Sequence, residues 1–390
     1  MEGVANAMRE NPEQATLGKL LLYFLRLGTT GFGGPIALAG HMQRDLVEGY
    51  GWFSKADYLE GLAFAQLSPG PLAAQLAMYL GWLRGGGVGA SLVGVAFVLP
   101  SFLMVLALSA LYIHFGSLPW IQGAFYGIAP AVSAIIARSA VKLVRTATGK
   151  DRLLWGIFAV LAVATVWTES EVLWLFVLGG VVSLLVKAPP KFAVRASAVT
   201  MAGWDWLLTG MHGTASMSTL ETVGVFFLKA GAFVFGSGLA IVPFLYAAVR
   251  EYHWLTEQQF VDAVAIAMIT PGPVVITSGF IGYLVAGPAG ASLATAAVFA
   301  PPLLIVIFAA PYYRRFAQNP QVKAFVQGVT AAAVGAIAGA ALILARRSVL
   351  DLPTLLIGAA VFLILLWKKV PEPLLILAAG VAGIFLRGGF

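Results

Sequence analysis

Ser68-Pro69-Gly70-Pro71 lies in an apolar segment running from residue 58 to 83, and Thr270-Pro271-Gly272-Pro273 lies in a second one from 260 to 286. Proline inside a helix lacks the N–H that the ladder needs and frees a carbonyl one turn back, whereas at a helix start its missing donor costs nothing. Each Pro-Gly-Pro therefore reads as the end of one half-helix and the start of another. In lipid such a break is tolerated only where protein or water lines it.

The flanking sequence repeats as well. Phe24-Leu25-Arg26-Leu27-Gly28 matches Phe227-Leu228-Lys229-Ala230-Gly231, and Phe32-Gly33-Gly34 matches Phe235-Gly236-Ser237, both at an offset of 203 residues. Trp52 matches Trp254 and Glu60 matches Asp262 at 202, as do the two Pro-Gly-Pro runs; Gly89-Ala90-Ser91-Leu92 and Pro100 match Gly290-Ala291-Ser292-Leu293 and Pro301 at 201. Drift of one residue at a time places small insertions in loops or breaks of a duplicated fold. The chain divides into an N-terminal repeat (1–187), a linker (188–221) too polar to span, and a C-terminal repeat (222–390).

Composition sets the solvent. Of the 390 residues, 60% are hydrophobic and 11% charged, with a mean hydropathy of +0.89. Apolar runs of the roughly 20 residues needed to cross about 30 Å of hydrocarbon recur along the chain. The fold class is thus an all-α polytopic membrane protein of two homologous halves. Each half reads as a first helix (18–40; 222–249), the broken segment, and four more helices. If both broken segments enter and return, about ten helices span, the halves are inverted, and Arg44, Lys55, Arg84, Lys142, Lys187 and Lys368 fall inside with Lys19, Arg346 and Arg387 outside. That arrangement gathers more cations on the cytoplasmic side than twelve crossings do. The net charge of +7 sits in short clusters between apolar runs, the imprint of topology rather than of nucleic-acid binding. Cysteine is absent, which excludes disulfides and thiolate chemistry. His41, His114, His212 and His253 lack metal spacing, and no Ser-His-Asp set marks an enzyme. No cofactor is implied.

A half-helix starting at mid-membrane aims backbone N–H groups and the positive dipole end into the protein, which makes an anion site. Inverted repeats bring two such ends together from opposite faces; the alternative is a pair of structural kinks. The candidate binding residues are accordingly Ser68, Pro69, Gly70, Pro71, Thr270, Pro271, Gly272 and Pro273. Arg26 and Lys229, each roughly 12 Å into the first helix, cost about 3 kcal/mol near the bilayer centre unless they face a cavity or a partner. The glycine runs Gly33-Gly34 and Gly236-Ser237 let that helix unwind or approach another backbone, and His41 lies beside the first. Glu60 and Asp262 are candidates for proton coupling, for pairing with the cations, or for plain interfacial placement.

Phe32-Gly33-Gly34-Pro35 with His41, Trp52, Gln66 through Pro71, Gly85-Gly86-Gly87 with Gly89, and Leu99-Pro100-Ser101 together resemble the chromate ion transporter family in its long two-half form, over essentially the whole chain. The resemblance implies a secondary transporter in the bacterial inner membrane that exports chromate and confers resistance, driven by membrane potential or ion exchange. It adds Gln66 to the candidate site. Sulfate, a tetrahedral dianion of similar size, is the alternative substrate, and a non-transporting membrane scaffold is the alternative of another class. The second copy departs from the motif: Ser237-Gly238 stands for Gly34-Pro35 and Met268 for Gln66. The number of subunits is left open, a homodimer included.

Overall fold

The computed structural model describes residues 16–32, 34–116, 118–168, 173–189, 217–234, 238–313, 319–368 and 370–387. Gly33, Gly236, Ser237 and most of the 188–221 linker lie outside these.

Every regular element among the described residues is helical. The first repeat holds α1 (Leu17–Thr30), α2 (Gly34–Met42, extended by a π-turn to Gly49), α3 (Lys55–Leu67), α4 (Leu72–Phe115), α5 (Pro119–Thr148), α6 (Arg152–Thr168) and α7 (Leu173–Lys187). The second holds α8 (Met217–Phe233), α9 (Ile241–Arg250), α10 (Glu257–Ile269), α11 (Thr277–Ala309), α12 (Pro320–Ser348), α13 (Leu352–Trp367) and α14 (Glu372–Leu386). Four stretches, Leu72–Phe115, Pro119–Thr148, Val274–Tyr312 and Pro320–Ser348, are long and apolar enough to cross a membrane.

Local chemistry sets the ends. Thr16 and Ser54 cap α1 and α3 by accepting from Lys19 N and Asp57 N. Thr256 and Gln259 form a capping box on α10, two orphan donors satisfied reciprocally. α4 and α11 each contain a reversal, at Gly85-Gly86 and Ala286-Gly287, where Gly86 (φ 56°) and Gly287 (φ 61°) take the left-handed backbone. Each is therefore two arms folded against one another, Gly81 on Gly89 and Gly282 on Gly290.

The broken segments enter and return. Tyr79, on the first arm of α4, donates to Glu60 of α3 at 3.0 Å and packs on Phe64, so the two sides of the Pro-Gly-Pro run side by side. The expectation of one unbroken first helix over 18–40 is corrected. α1 stops at Thr30 and the chain folds back, so that Tyr23 donates to Asp45 at 3.1 Å and lies against Trp52. Lys19 and Arg44 consequently share one end of the bundle instead of lying on opposite faces. The second repeat stops alike at Phe233, with α9 beginning anew at Ile241.

Equivalent helices of the two halves run antiparallel. Ser348 near the end of α12 donates to Ser133 in the middle of α5 at 2.8 Å, and Gly87, opening the second arm of α4, faces Ile307 near the end of α11. Antiparallel equivalents are what an axis in the membrane plane produces, so the repeats are inverted. They also interlock. α6 and α7 pack on α12, while α13 and α14 pack on α5, so each half buries its later helices against the other. Glycines set the closest approaches: a Cβ on Gly28 would strike the Phe97 carbonyl, and one on its equivalent Gly231 that of Val298.

Placing cysteine at Ser133 and Ser348 in this cysteine-free chain tests the antiparallel packing. Mild oxidation should link the pair within one chain, read by mass spectrometry of the digested, alkylated protein. Two free thiols would refute the arrangement.

Candidate functional site

At the centre of the molecule the two breaks meet, and they meet crosswise. The N–H of Gly70, in the first repeat, donates to Val234 O at the end of α8; the N–H of Gly272, in the second, donates to Gly31 O at the end of α1, at 2.5 and 2.9 Å. Gly31 and Val234 are themselves repeat equivalents. Each helix interruption is thus satisfied by the matching interruption of the opposite half, which is how irregular backbone survives at membrane depth. Gly70 (φ 139°) and Gly272 (φ 104°) both hold a backbone closed to most L-residues.

The hydroxyls before the prolines turn away from this meeting point. Ser68 Oγ donates to Phe64 O at 2.8 Å and Thr270 Oγ1 to Ile266 O at 2.7 Å, closing the preceding helices. Beyond the prolines, α4 begins with Pro71 as its cap and no side chain bonded to its first N–H groups, so the donors of a helix start remain. A narrow cavity of about 10 Å³ is bounded by Gly34, Pro35, Pro71, Gly272 and Pro273. It is large enough for about one water and too small for a tetrahedral oxyanion. The site is closed in this conformation.

Two side-chain contacts, both from α4 of the first repeat, hold the breaks. Pro69 O accepts from Gln75 Nε2 at 2.5 Å, whereas Pro271 O accepts from Ser101 Oγ at 2.7 Å. The equivalent of Gln75 is Thr277, which bonds locally to Val274 O, and that of Ser101 is Pro302, whose ring lies against Gly70. Sequence reasoning missed both Gln75 and Ser101. A polar residue shortly after a proline in an otherwise apolar helix, Gln75 after Pro71 and Ser101 after Pro100, was the available signal.

Arg26 and His41 are brought together. They line a polar vestibule of about 450 Å³ between α1 and the returning chain, with Lys19, Asp45, Tyr50 and Trp52. Arg26 is exposed into it, and no described carboxylate pairs with it. Tyr50 and Trp52 stack at 4.7 Å at its rim. The second repeat keeps the aromatic rim, with Tyr252 and Trp254 4.6 Å apart, but changes the charge: Lys229 lies within electrostatic reach of Glu251. Gln66 is exposed on α3 and lines neither this vestibule nor the narrow cavity at the breaks. Glu60 and Asp262 stand apart from the cations. Asp262 is 3% exposed and accepts from Tyr112 Oη at 2.7 Å and Gln258 Nε2 at 2.8 Å, at the edge of a cavity of about 340 Å³ that also includes Arg347 and Arg387. Among the described residues no cluster of His, Asp and Glu is arranged to hold a metal.

A Cβ at Gly70 would come within 2.6 Å of Gln75 Cδ and 2.7 Å of Pro302 Cβ, and one at Gly272 would strike Ser101 Oγ. Gly70→Ala and Gly272→Ala should each destabilise the fold by roughly 3 kcal/mol, seen as a lowered thermal midpoint of the purified protein. Gly40→Ala, in helical backbone with open space around it, should not destabilise the fold. Equal effects at all three positions would show that the breaks are not packed as described.

The family profile described as "Chromate transporter" matches residues 18–184 and 222–384, one copy per repeat. The chromate transport protein of Cupriavidus metallidurans is 57% identical over 95% of this chain and 93% of its own length. The probable chromate transport protein of Synechococcus elongatus is 53% identical over 95% of each, and an uncharacterised transporter of Methanocaldococcus jannaschii is 28% identical over 97% of this chain and 96% of its own. No solved structure matches the chain.

Proposed function

The chain belongs to the chromate transporter family, is a multi-pass protein of the inner membrane, and we propose that it carries chromate out of the cytoplasm as a secondary transporter and so confers resistance. The observation that carries this reading is the crosswise meeting of the two breaks beside a vestibule in which Arg26 has no described carboxylate partner. Substrate would approach from one vestibule, engage the helix-start donors of α4 and its counterpart in the second repeat, and leave through the other side. With both mouths narrowed to the 10 Å³ cavity, rocking of one repeat against the other supplies alternating access.

Charge supports the direction. The end of the bundle where α1 begins carries Lys55, Arg84, Lys150, Arg152, Lys187 and Lys368, while Arg346, Arg347 and Arg387 lie at the other. By the positive-inside rule the first end faces the cytoplasm. The Arg26 vestibule then opens inward and captures anions, and the Lys229 side, neutralised by Glu251, opens outward and releases them. A dianion leaving a negative-inside cell gains about 2.3 kcal/mol per charge per 100 mV, so potential alone drives export. Glu60 and Asp262 are the groups that would carry a proton if flux is coupled; Tyr79 and Tyr112 orient them. The transport reading leaves no role for catalysis.

In proteoliposomes with an imposed potential, Arg26→Ala should reduce chromate flux at low concentration about tenfold, with a smaller loss for Lys229→Ala. Wild-type flux in Arg26→Ala would remove the vestibule from the pathway. Absence of flux in the unmodified protein would remove the function itself.

A further inference from the structure

Gln75 has no solvent exposure, and its Oε1 has no hydrogen-bond partner among the described residues. The amide orientation is fixed by chemistry: the atom 2.5 Å from Pro69 O must be the N–H₂ group, because two carbonyl oxygens at that distance repel. The orphan is therefore an acceptor. A buried acceptor without a donor is unfavourable and calls for an explanation. The side chain runs back over the start of α4 and lies against Gly70, whose N–H is held by Val234 O of the other half. The donor task at Pro69 O does not require an amide, since the single hydroxyl of Ser101 performs it for Pro271 O of the second repeat. What the glutamine adds is the carbonyl.

We propose that Gln75 is a specificity-determining residue that recognises an oxyanion carrying a proton, its Oε1 accepting from the anion's O–H while the Gly70 N–H, released from Val234, donates to an unprotonated oxygen. The inference rests on the transport reading above. A donor and an acceptor side by side match X–O⁻ and X–OH on one tetrahedral centre; a fully deprotonated oxyanion would set lone pair against lone pair at Oε1, and sites built on a hydrogen bond reject analogues that cannot make it. Chromate takes up a proton near neutrality, phosphate and arsenate retain one there, and sulfate does so only in strong acid. The residue thus separates hydrogenchromate from sulfate, which charge and shape alone leave indistinguishable.

The test is competition against chromate flux in proteoliposomes at a single neutral pH, so that any proton coupling is constant. Arsenate should inhibit the unmodified protein at a concentration about tenfold below sulfate. Gln75→Met, similar in shape and without the carbonyl, should close that gap while sulfate inhibition persists; a residue that only braces the break would change flux and leave the ratio alone. Gln75→Glu keeps the shape and should weaken inhibition by every anion. Sulfate equal to arsenate in the unmodified protein overturns the proposal without any variant, and so does an undiminished gap in Gln75→Met. Unmodified protein that moves no chromate overturns the transport reading instead.

Discussion

A lipid interior offers no water to a broken helix, and this constraint is met here by two hydrogen bonds that cross between repeats, from Gly70 to Val234 and from Gly272 to Gly31. Neither half pairs the glycine N–H of its own interruption. Each supplies a free N–H at its Pro-Gly-Pro and a free carbonyl where its first helix stops, and the inverted partner supplies the complement. The glycines follow from that geometry, because the backbone must turn through a left-handed conformation while another backbone lies in contact.

Interlocking of the later helices carries the same logic outward. α5 packs against α13 and α14, and α12 against α6 and α7, so neither repeat encloses a core by itself. The centre is held by backbone contacts between halves and the periphery by helices packed on the opposite repeat. The copies differ near the breaks: Arg26 has no described carboxylate partner whereas Lys229 lies near Glu251, and an amide at Gln75 stands against a hydroxyl at Thr277.

Much of this was legible before any coordinates. The offset pairs Arg26 and Lys229, Glu60 and Asp262, and the two Pro-Gly-Pro runs announce the duplication, and hydropathy announces the membrane. The hairpin at α1 was not legible, because Leu17 through Gly40 is apolar apart from Lys19, Arg26 and two threonines, and glycine permits a break without requiring one. Gln66 reads as well as Gln75 in sequence, yet one is exposed and the other buried against Gly70; the local pattern on a short half-helix does not tell the two faces apart. Ser68 and Thr270 read as anion ligands because hydroxyls are donors, and they spend that donor on the helix behind them.

The sequence by itself determined the solvent, the duplication, the sites of the breaks and the cations near them, since each is a property of residue type and spacing along one chain. Only the tertiary structure decided that the breaks cross between halves, that Arg26 shares a vestibule with His41, and that Gln75 carries an unmet acceptor. The first depends on which backbone groups of residues some 165 to 240 positions apart come within hydrogen-bonding distance, and no local preference encodes a partner from the opposite repeat; the other two depend on how the chain turns back at the end of α1 and at the first Pro-Gly-Pro.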